Sequence, residues 1–150
     1  MSQQIDILKK QRLAILNQVD LLSLDQLNYI PIGFNNNILW NLGHMVSTQH
    51  GVCYKPGTIL PIDQVFFDAY KSRTRPEKIY TSDDLSAIKA LFISTLDHLD
   101  AQIENGAFSN YTAWTTREGF EVRNIDDAIR LLTLHEGIHT GTIMALKKLV

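Results

Sequence analysis

Hydrophobic residues near the start of the chain recur at the spacing of an amphipathic helix. They stand three, four or seven positions apart, with Arg12 in the single gap: Ile5, Leu8, Ile15, Val19 and Leu22. Such a stripe lies on one face of a helix and predicts a first helix over residues 2–23. Lys9, Lys10 and Arg12 form the densest basic group, and we interpret them as a solvated helix face because acidic residues flank them.

The second helix is predicted between two segments that contain helix-breaking residues. Residues 24–34 include Pro31 and Gly33, and the three asparagines at 35–37 then offer side-chain acceptors for an N-cap. The second helix runs from there to Tyr54. A long crossover follows to residue 77, with one short helical piece over residues 63–70; the crossover begins with the breakers Pro56, Gly57 and Pro61.

Two more helices complete the pattern. Thr81 and Asp84 resemble a capping box, and hydrophobic residues at helical spacing extend the third helix over residues 82–105. Residues 107–124 favour a short β-hairpin or an ordered loop. Asn124 and Asp127 repeat the capping arrangement, and the fourth helix then continues to the end of the chain with a heptad stripe: Ala128, Leu131, His135, Ile138, Thr142, Ala145 and Leu149.

Four amphipathic helices without sustained strand alternation predict an all-α fold. We expect a four-helix bundle with the long crossover between helices 2 and 3 and a short irregular or hairpin segment before helix 4. A chain of 150 residues has the length of one domain, so residues 1–150 are interpreted as a single helical domain.

The charge and composition of the chain limit the classes of partner that we expect it to bind. Fourteen basic and sixteen acidic residues give a net charge of −2, which provides no field for nucleic acid. No apolar run approaches the ~18 residues of a membrane span, and the first residues lack the layout of a signal peptide, so we expect a cytoplasmic protein without a membrane partner. The single Cys53 is interpreted as a small buried hydrophobic residue.

The candidate chemistry lies in the fourth helix, where His135 and His139 are one turn apart. Four residues rise ~6 Å and rotate by only ~40°, so both imidazoles can reach one metal ion. The alternative is a pair of hydrogen-bonded core histidines. An imidazole must be neutral to bind, and its ordinary pKa is near ~6.5, so we expect protons to compete with the ion below about pH 6.

Residues 135–139 also spell the H-E-x-x-H string of zinc metalloproteases. The third ligands that such proteases take from downstream are missing, because the eleven residues after His139 contain no Asp, Glu or His. The extended protease motif requires a glycine and a third histidine further along, but this chain has Thr142 and Ala145 at those positions. We therefore expect no endopeptidase activity. Glu136 points about 100° away from His135 and is interpreted as a surface residue.

A third ligand must come from upstream, and His44 is the leading candidate. Whether His44 faces the core is ambiguous, because it lies on the side of the second helix nearly opposite the clearest hydrophobic face. Either a second face of the helix packs inward at one end of the bundle, or His44 is exposed. His50 and His98 have no supporting context and are interpreted as solvent-exposed.

Two motifs, Trp-Asn-Leu-Gly-His at residues 40–44 and His-Glu-Gly-Ile-His-Thr-Gly at residues 135–141, resemble those of the DinB-like proteins. This family of four-helix bundles includes bacillithiol transferases and mycothiol-dependent isomerases. The resemblance implies that His44, His135 and His139 bind one divalent ion. Zinc or nickel is the expected ion, since imidazole nitrogen accepts both. The resemblance and the frequency of symmetric dimers also favour a homodimer.

Three imidazoles would leave a fourth coordination position open, as in catalytic rather than structural metal sites. The leading hypothesis is a metal-dependent transferase that activates a low-molecular-weight thiol for attack on a small electrophile. The alternative is a non-catalytic or regulatory metal-binding bundle, and a metal-dependent hydrolase is third. The sequence assigns no catalytic residue beyond the three ligands.

Overall fold

The structure is a computed structural model that describes residues 3–54 and 62–150. Four long helices, two short helices and one two-stranded hairpin lie in these ranges. Their order is α1 (Gln3–Val19), α2 (Leu24–Asn28), α3 (Ile38–Cys53), α4 (Gln64–Tyr70), α5 (Ser82–Glu104), β1 (Trp114–Thr115), β2 (Glu121–Val122) and α6 (Ile125–Leu146).

The four long helices form the predicted all-α bundle. Both α3 and α1 pack against α5 and α6, so α1 and α3 lie on one diagonal of the bundle and α5 and α6 on the other. Helix α3 is buried on almost every side, including each residue from 38 to 47. A helix that is buried all round has no solvent face, which is why its hydrophobic pattern indicated no single inward direction. No helix in the described ranges is long and apolar enough to cross a membrane.

Side-chain caps set the helix starts. Asn37 caps α3 by accepting a hydrogen bond from the backbone N–H of Trp40 at 2.8 Å, and Thr81 and Asn124 cap α5 and α6 as predicted. The first helix ends at Val19 rather than Ser23. Ser23 instead forms a capping box with Gln26 and starts α2, a helix that the sequence did not predict.

The connections also follow the predicted outline. Helix α4 coincides with the expected helical piece of the crossover, while the predicted breakers at residues 56, 57 and 61 lie outside the described residues. Strands β1 and β2 pair antiparallel, with Trp114 opposite Val122. Gly119 in the turn has φ 87°, a left-handed conformation that glycine adopts without strain. Residues 107–124 therefore contain a hairpin.

The predicted inward stripe of the last helix is wrong by about a quarter turn. The buried residues of α6 are Ala128, Ile129, Leu132, Glu136, Ile143 and Leu146. Ile138 and Leu149, which stand on the heptad stripe, are 60% and 53% exposed. The heptad stripe therefore lies between the buried and the exposed side of α6: Ala128 is buried and His135 faces α3, whereas Ile138 is exposed.

Candidate metal centre

Packing of α6 against α3 brings the three predicted histidines together. The Nε2 atoms of His44 and His135 are 3.2 Å apart. With His139 they form a cluster whose possible ligand atoms all lie within 4.8 Å of one another, and no other cluster of this kind occurs in the described residues. His44 is only 6% exposed, so of the two alternatives left by the sequence, the inward-facing one is correct.

Hydrogen bonds from neighbouring groups set the protonation of two of the rings. Nδ1 of His44 lies 2.7 Å from the backbone carbonyl of Tyr70, which can only accept, so Nδ1 carries the proton. Nδ1 of His139 lies 2.8 Å from Oδ1 of Asn41, whose amide nitrogen donates to the carbonyl of Asn37 at 2.7 Å. This second bond fixes the amide orientation, so Nδ1 of His139 also donates. Both rings therefore keep a lone pair on Nε2.

The cluster fits a divalent ion. Two nitrogens bound tetrahedrally at ~2.0–2.1 Å from one ion stand about 3.3 Å apart, close to the 3.2 Å between His44 and His135. Without an ion, this contact requires His135 to donate a proton from Nε2 to His44. Nδ1 of His135 has no hydrogen-bond partner in the described residues, so its tautomer, unlike those of His44 and His139, is not set by a neighbouring group.

Burial keeps the imidazoles neutral. The pKa of His135 is lowered to about 3, chiefly by desolvation and to a smaller extent by the neighbouring His139 and His44. Desolvation and His44 lower the pKa of His139 to about 4. Burial also lowers the pKa of His44, although its hydrogen bond to Tyr70 opposes the effect. All three rings are consequently in the metal-binding form at pH 7.

The motif at residues 40–44 supports this arrangement. The Trp40 indole stacks on the His44 ring with centroids 4.6 Å apart, and its Nε1 donates to Thr74. A Cβ at Gly43 would lie 2.4 Å from the Tyr70 ring, so only glycine lets α4 approach closely enough for Tyr70 to reach His44. These neighbours orient the proposed ligands, as outer-shell partners commonly do at metal sites.

Thr48 is a site residue that sequence reasoning missed. Its Oγ1 lies 3.3 Å from Nε2 of His44 and 3.4 Å from Nε2 of His135. The available signal was its position one turn after His44 on α3, which places both side chains on the same side of the helix.

Glu136 and Arg12 are not surface residues, contrary to expectation. Both side chains are fully buried, and the Glu136 carboxylate accepts from Nε and Nη2 of Arg12. Arg12 also donates to the carbonyl of Phe92 at 2.7 Å. Burial raises the pKa of the Glu136 carboxyl, and the Arg12 guanidinium opposes that rise. The glutamate of the H-E-x-x-H string is thus held in the bundle core, on a different side of α6 from the two histidines.

His50 and His98 lie outside the cluster, and the prediction that both are solvent-exposed is wrong. His50 is 6% exposed, with its ring centroid 5.0 Å from that of Phe67. His98 is half-buried beside Tyr54. Both occupy inner helix faces that their isolated sequence context did not indicate. Cys53 is buried as predicted, and burial raises the pKa of its thiol to about 12.

Comparison with known proteins agrees with the fold and with the histidine cluster. No curated protein matches the chain. The family-wide sequence profile of the DinB superfamily matches residues 7–143, a span that includes the two motifs and all three clustered histidines. The chain therefore belongs to the DinB superfamily.

Proposed function

We propose that His44, His135 and His139 hold one divalent ion and that the protein is a metal-dependent transferase for a low-molecular-weight thiol. The observation that carries this proposal is that three imidazoles lie close together. In two of them, His44 and His139, a hydrogen bond at Nδ1 fixes the tautomer that leaves a lone pair on Nε2. Such an ion supplies an open coordination position and lowers the pKa of a thiol bound there. The protein supplies neutral donors and their orientation.

The surroundings of the cluster favour a thiol over water as the nucleophile. Metal-assisted hydrolysis commonly uses a carboxylate base beside the ion. In the described residues no carboxylate joins the histidine cluster, and Glu136 is bound to Arg12 in the core. A thiolate is itself a strong nucleophile and needs no separate base once its proton has been lost. For this reason we rank a metal-dependent hydrolase below the thiol transferase.

The second candidate is a bundle in which the ion only joins α3 to α6. The observation in its favour is the limited access to the cluster, since His44 is buried and the other two rings are partly buried. A closed structural site would have its fourth position filled by a protein group. Thr48 is the described side chain placed to fill that position.

Spectra of the cobalt-substituted protein distinguish the two candidates. Addition of 2-mercaptoethanol at pH 7.5 should produce a sulfur-to-cobalt charge-transfer band if the fourth position is open. The His135→Ala, His139→Ala variant should give no band, whereas His98→Ala, which changes a half-buried histidine outside the cluster, should behave as wild type. An unchanged wild-type spectrum at saturating thiol would favour the non-catalytic bundle.

We further propose that the protein forms a homodimer through the outer face of α6. Leu134 and Ile138 are 56% and 60% exposed there, and Leu149 adds an exposed apolar side chain just after the helix. Light scattering at micromolar concentration should give twice the 17.0 kDa of one chain. An Ile138→Glu, Leu134→Glu variant should be monomeric, and a monomeric wild type would rule the dimer out.

A cytoplasmic location remains a prediction, compatible with a single reduced cysteine.

A further inference from the structure

A cavity of about 610 Å³ lies beside Trp40, between the start of α3 and the segment that follows α4. Asn35, Asn36 and Trp40 line it from the first of these, and residues 73–75 and Glu77 line it from the second. Its volume lies within the ~300–1,000 Å³ that is usual for ligand pockets. None of the clustered histidines belongs to its described lining, so the cavity is separate from the candidate metal centre.

The cavity carries two arginines whose guanidinium groups are not paired. Arg73 and Arg75 are both exposed, and neither side chain forms a hydrogen bond or an ion pair within the described residues. Glu77 is the single carboxylate of the described lining. Two positive charges therefore accompany one negative charge, and each guanidinium keeps all of its N–H donors for a ligand.

Arg73 adopts a backbone conformation that arginine rarely takes. Its φ is 73°, in the left-handed region, and it is the only non-glycine residue with a positive φ in the described ranges. This conformation is unfavourable for a residue that has a Cβ, whereas glycine adopts it without strain. Such strained residues cluster at functional sites, where a particular side chain is needed despite its cost.

Thr74 holds the backbone of the two arginines next to Trp40. Its hydroxyl accepts a hydrogen bond from Nε1 of Trp40 at 3.1 Å and lies 2.9 Å from the carbonyl oxygens of Ala69 and Lys71. The segment is thereby attached both to α3 and to the end of α4. An anchored backbone lowers the entropy that is lost when a ligand binds.

Asn36 provides an unsatisfied acceptor at the wall of the cavity. Its Oδ1 atom is buried and has no hydrogen-bond partner in the described residues. A buried carbonyl oxygen normally has such a partner, and a ligand hydroxyl would provide one. Together with the arginines, this acceptor favours a ligand that carries both an anionic group and a hydroxyl.

A neighbouring cavity limits where an anionic group can lie. It has a volume of about 440 Å³ and shares Arg75 with the cavity beside Trp40. Its lining adds three further carboxylates, Asp63, Asp68 and Asp84, and one ammonium, that of Lys78. The excess of negative charge disfavours an anion there, so the favoured position is in the cavity that also contains Arg73.

We propose that the cavity beside Trp40 binds a small hydroxylated phosphomonoester, with its phosphate on Arg73 and Arg75 and a hydroxyl donating to Asn36. A phosphomonoester carries a charge near −2 at pH 7.5, because its second pKa is about 6. Its oxygens can accept paired N–H groups from two guanidiniums, which a single carboxylate does less well. The inference goes beyond the proposed function and requires no metal ion.

Calorimetric titration with glycerol 3-phosphate at pH 7.5 and constant ionic strength tests the ligand class. Glycerate, which has a carboxylate in place of the phosphate, should bind about tenfold more weakly. Propyl phosphate, which lacks both hydroxyls, should bind about fivefold more weakly. Absence of saturable binding of glycerol 3-phosphate would overturn the site. Equal binding of glycerate would overturn the preference for phosphate, and equal binding of propyl phosphate would overturn the hydroxyl contact.

Variants of the lining residues locate the two ends of the ligand. Arg73→Gln and Arg75→Gln should each weaken glycerol 3-phosphate by about tenfold. Arg117→Gln, which changes an exposed arginine in the hairpin turn, should bind it as the wild type does. Asn36→Ala should weaken glycerol 3-phosphate by about fivefold and leave propyl phosphate unchanged. Wild-type affinity in both the Arg73 and the Arg75 variant would overturn the proposal.

Arg73→Gly separates ligand binding from folding. Glycine relieves the left-handed strain, so the midpoint of urea unfolding should rise while the affinity for glycerol 3-phosphate falls as in Arg73→Gln. Misfolding cannot explain a loss of affinity in a protein that has become more stable. Retained affinity in Arg73→Gly would contradict a role for this side chain.

Two further variants establish where the phosphate binds. The His135→Ala, His139→Ala variant should bind glycerol 3-phosphate as the wild type does, and loss of binding would place the phosphate on a metal ion instead. Trp114→Phe leaves Trp40 as the only tryptophan, and its emission should change saturably over the concentration range of the calorimetric titration. Unchanged emission with calorimetric binding intact would place the ligand elsewhere and overturn the assignment.

Discussion

Arg12 and Glu136 form an ion pair in the bundle core with both side chains inaccessible to solvent. They come from the first and last long helices, 124 positions apart in the chain. The pair joins α1 to α6 on the side of α6 that does not carry the histidine cluster. Its contribution to stability can therefore be measured separately from metal binding.

Breaking this ion pair should be costly, and replacing both partners much less so. Arg12→Met leaves a buried carboxylate without its partner and should lower the free energy of unfolding by about 3–5 kcal/mol. The Arg12→Met, Glu136→Leu double variant should recover most of this loss, as measured by urea unfolding at pH 7. Both variants should retain metal. A folded double variant without metal would show that the ion pair contributes to the proposed metal centre.

Metal content should be about one divalent ion per chain, because the described residues hold one cluster with three suitable donors. Elemental analysis of protein purified without chelators measures it. The His135→Ala, His139→Ala variant should contain almost none, and His98→Ala should match the wild type. Normal metal content in the double variant would remove the proposed ligand set.

Asn41 should control metal affinity without binding the ion itself. Asn41→Leu removes the acceptor that orients His139, and loss of such a partner typically lowers metal affinity by 10–100-fold. Asn41→Asp keeps an acceptor oxygen and should bind within a fewfold of the wild type. Competition with a chelator of known affinity measures both, with exposed Asn110→Leu as the control. Equal affinities for the Leu and Asp variants would contradict this role.

The lowered histidine pKa values make metal binding and folding respond differently to acid. In the folded, metal-free protein, burial lowers the pKa of His135 to about 3 and that of His139 to about 4, and it also lowers the pKa of His44. The sequence-based expectation of competition below about pH 6 therefore changes, and metal affinity should fall less than tenfold between pH 7.5 and pH 5.5. A decrease of 100-fold or more over this interval would contradict the lowered pKa values.

The free energy of unfolding of the metal-free protein should decrease as the pH falls from 7.5 to 5.5. In the folded chain burial lowers the pKa of His44, His135 and His139, whereas the unfolded chain binds protons at these histidines from about pH 6.5 downwards. The stability that depends on their neutral forms is therefore complete above that pH and is lost as the pH falls. Each such histidine contributes a slope of up to about 1.4 kcal/mol per pH unit. Urea unfolding with chelator present measures the slope, which should be smaller in the His135→Ala, His139→Ala variant.

The helices were predictable because their signals are local. The Thr81 and Asn124 caps lie within a few residues of the helices they start, and the spacing of hydrophobic residues identified four long helices. The inward side of α6 was not predictable in this way. Leu134 and Ile138 add apolar residues to the outer face, whereas Glu136 adds a charged one to the inner face, and packing against α1 and α3 determines which face is buried.

The candidate site shows the same division between local and tertiary information. His135 and His139 share one helix, so their spacing alone placed them together. Their supporting contacts join distant parts of the chain, because Asn41 meets His139 across 98 positions and Tyr70 meets His44 across 26. Residue type gave no hint of these pairings, and Arg12 was misread for the same reason.

The contact between Tyr70 and His44 couples the docking of the crossover helix α4 to the proposed metal centre. The Tyr70 carbonyl holds His44 in its ligating tautomer only while α4 is docked over Gly43. Any coupling between docking and metal binding must be reciprocal, so an ion on His44 strengthens the docking of α4 by the same factor by which docking strengthens the ion. Metal release would consequently loosen α4, which packs against α3, and amide exchange in α4 would report occupancy of the proposed ion site.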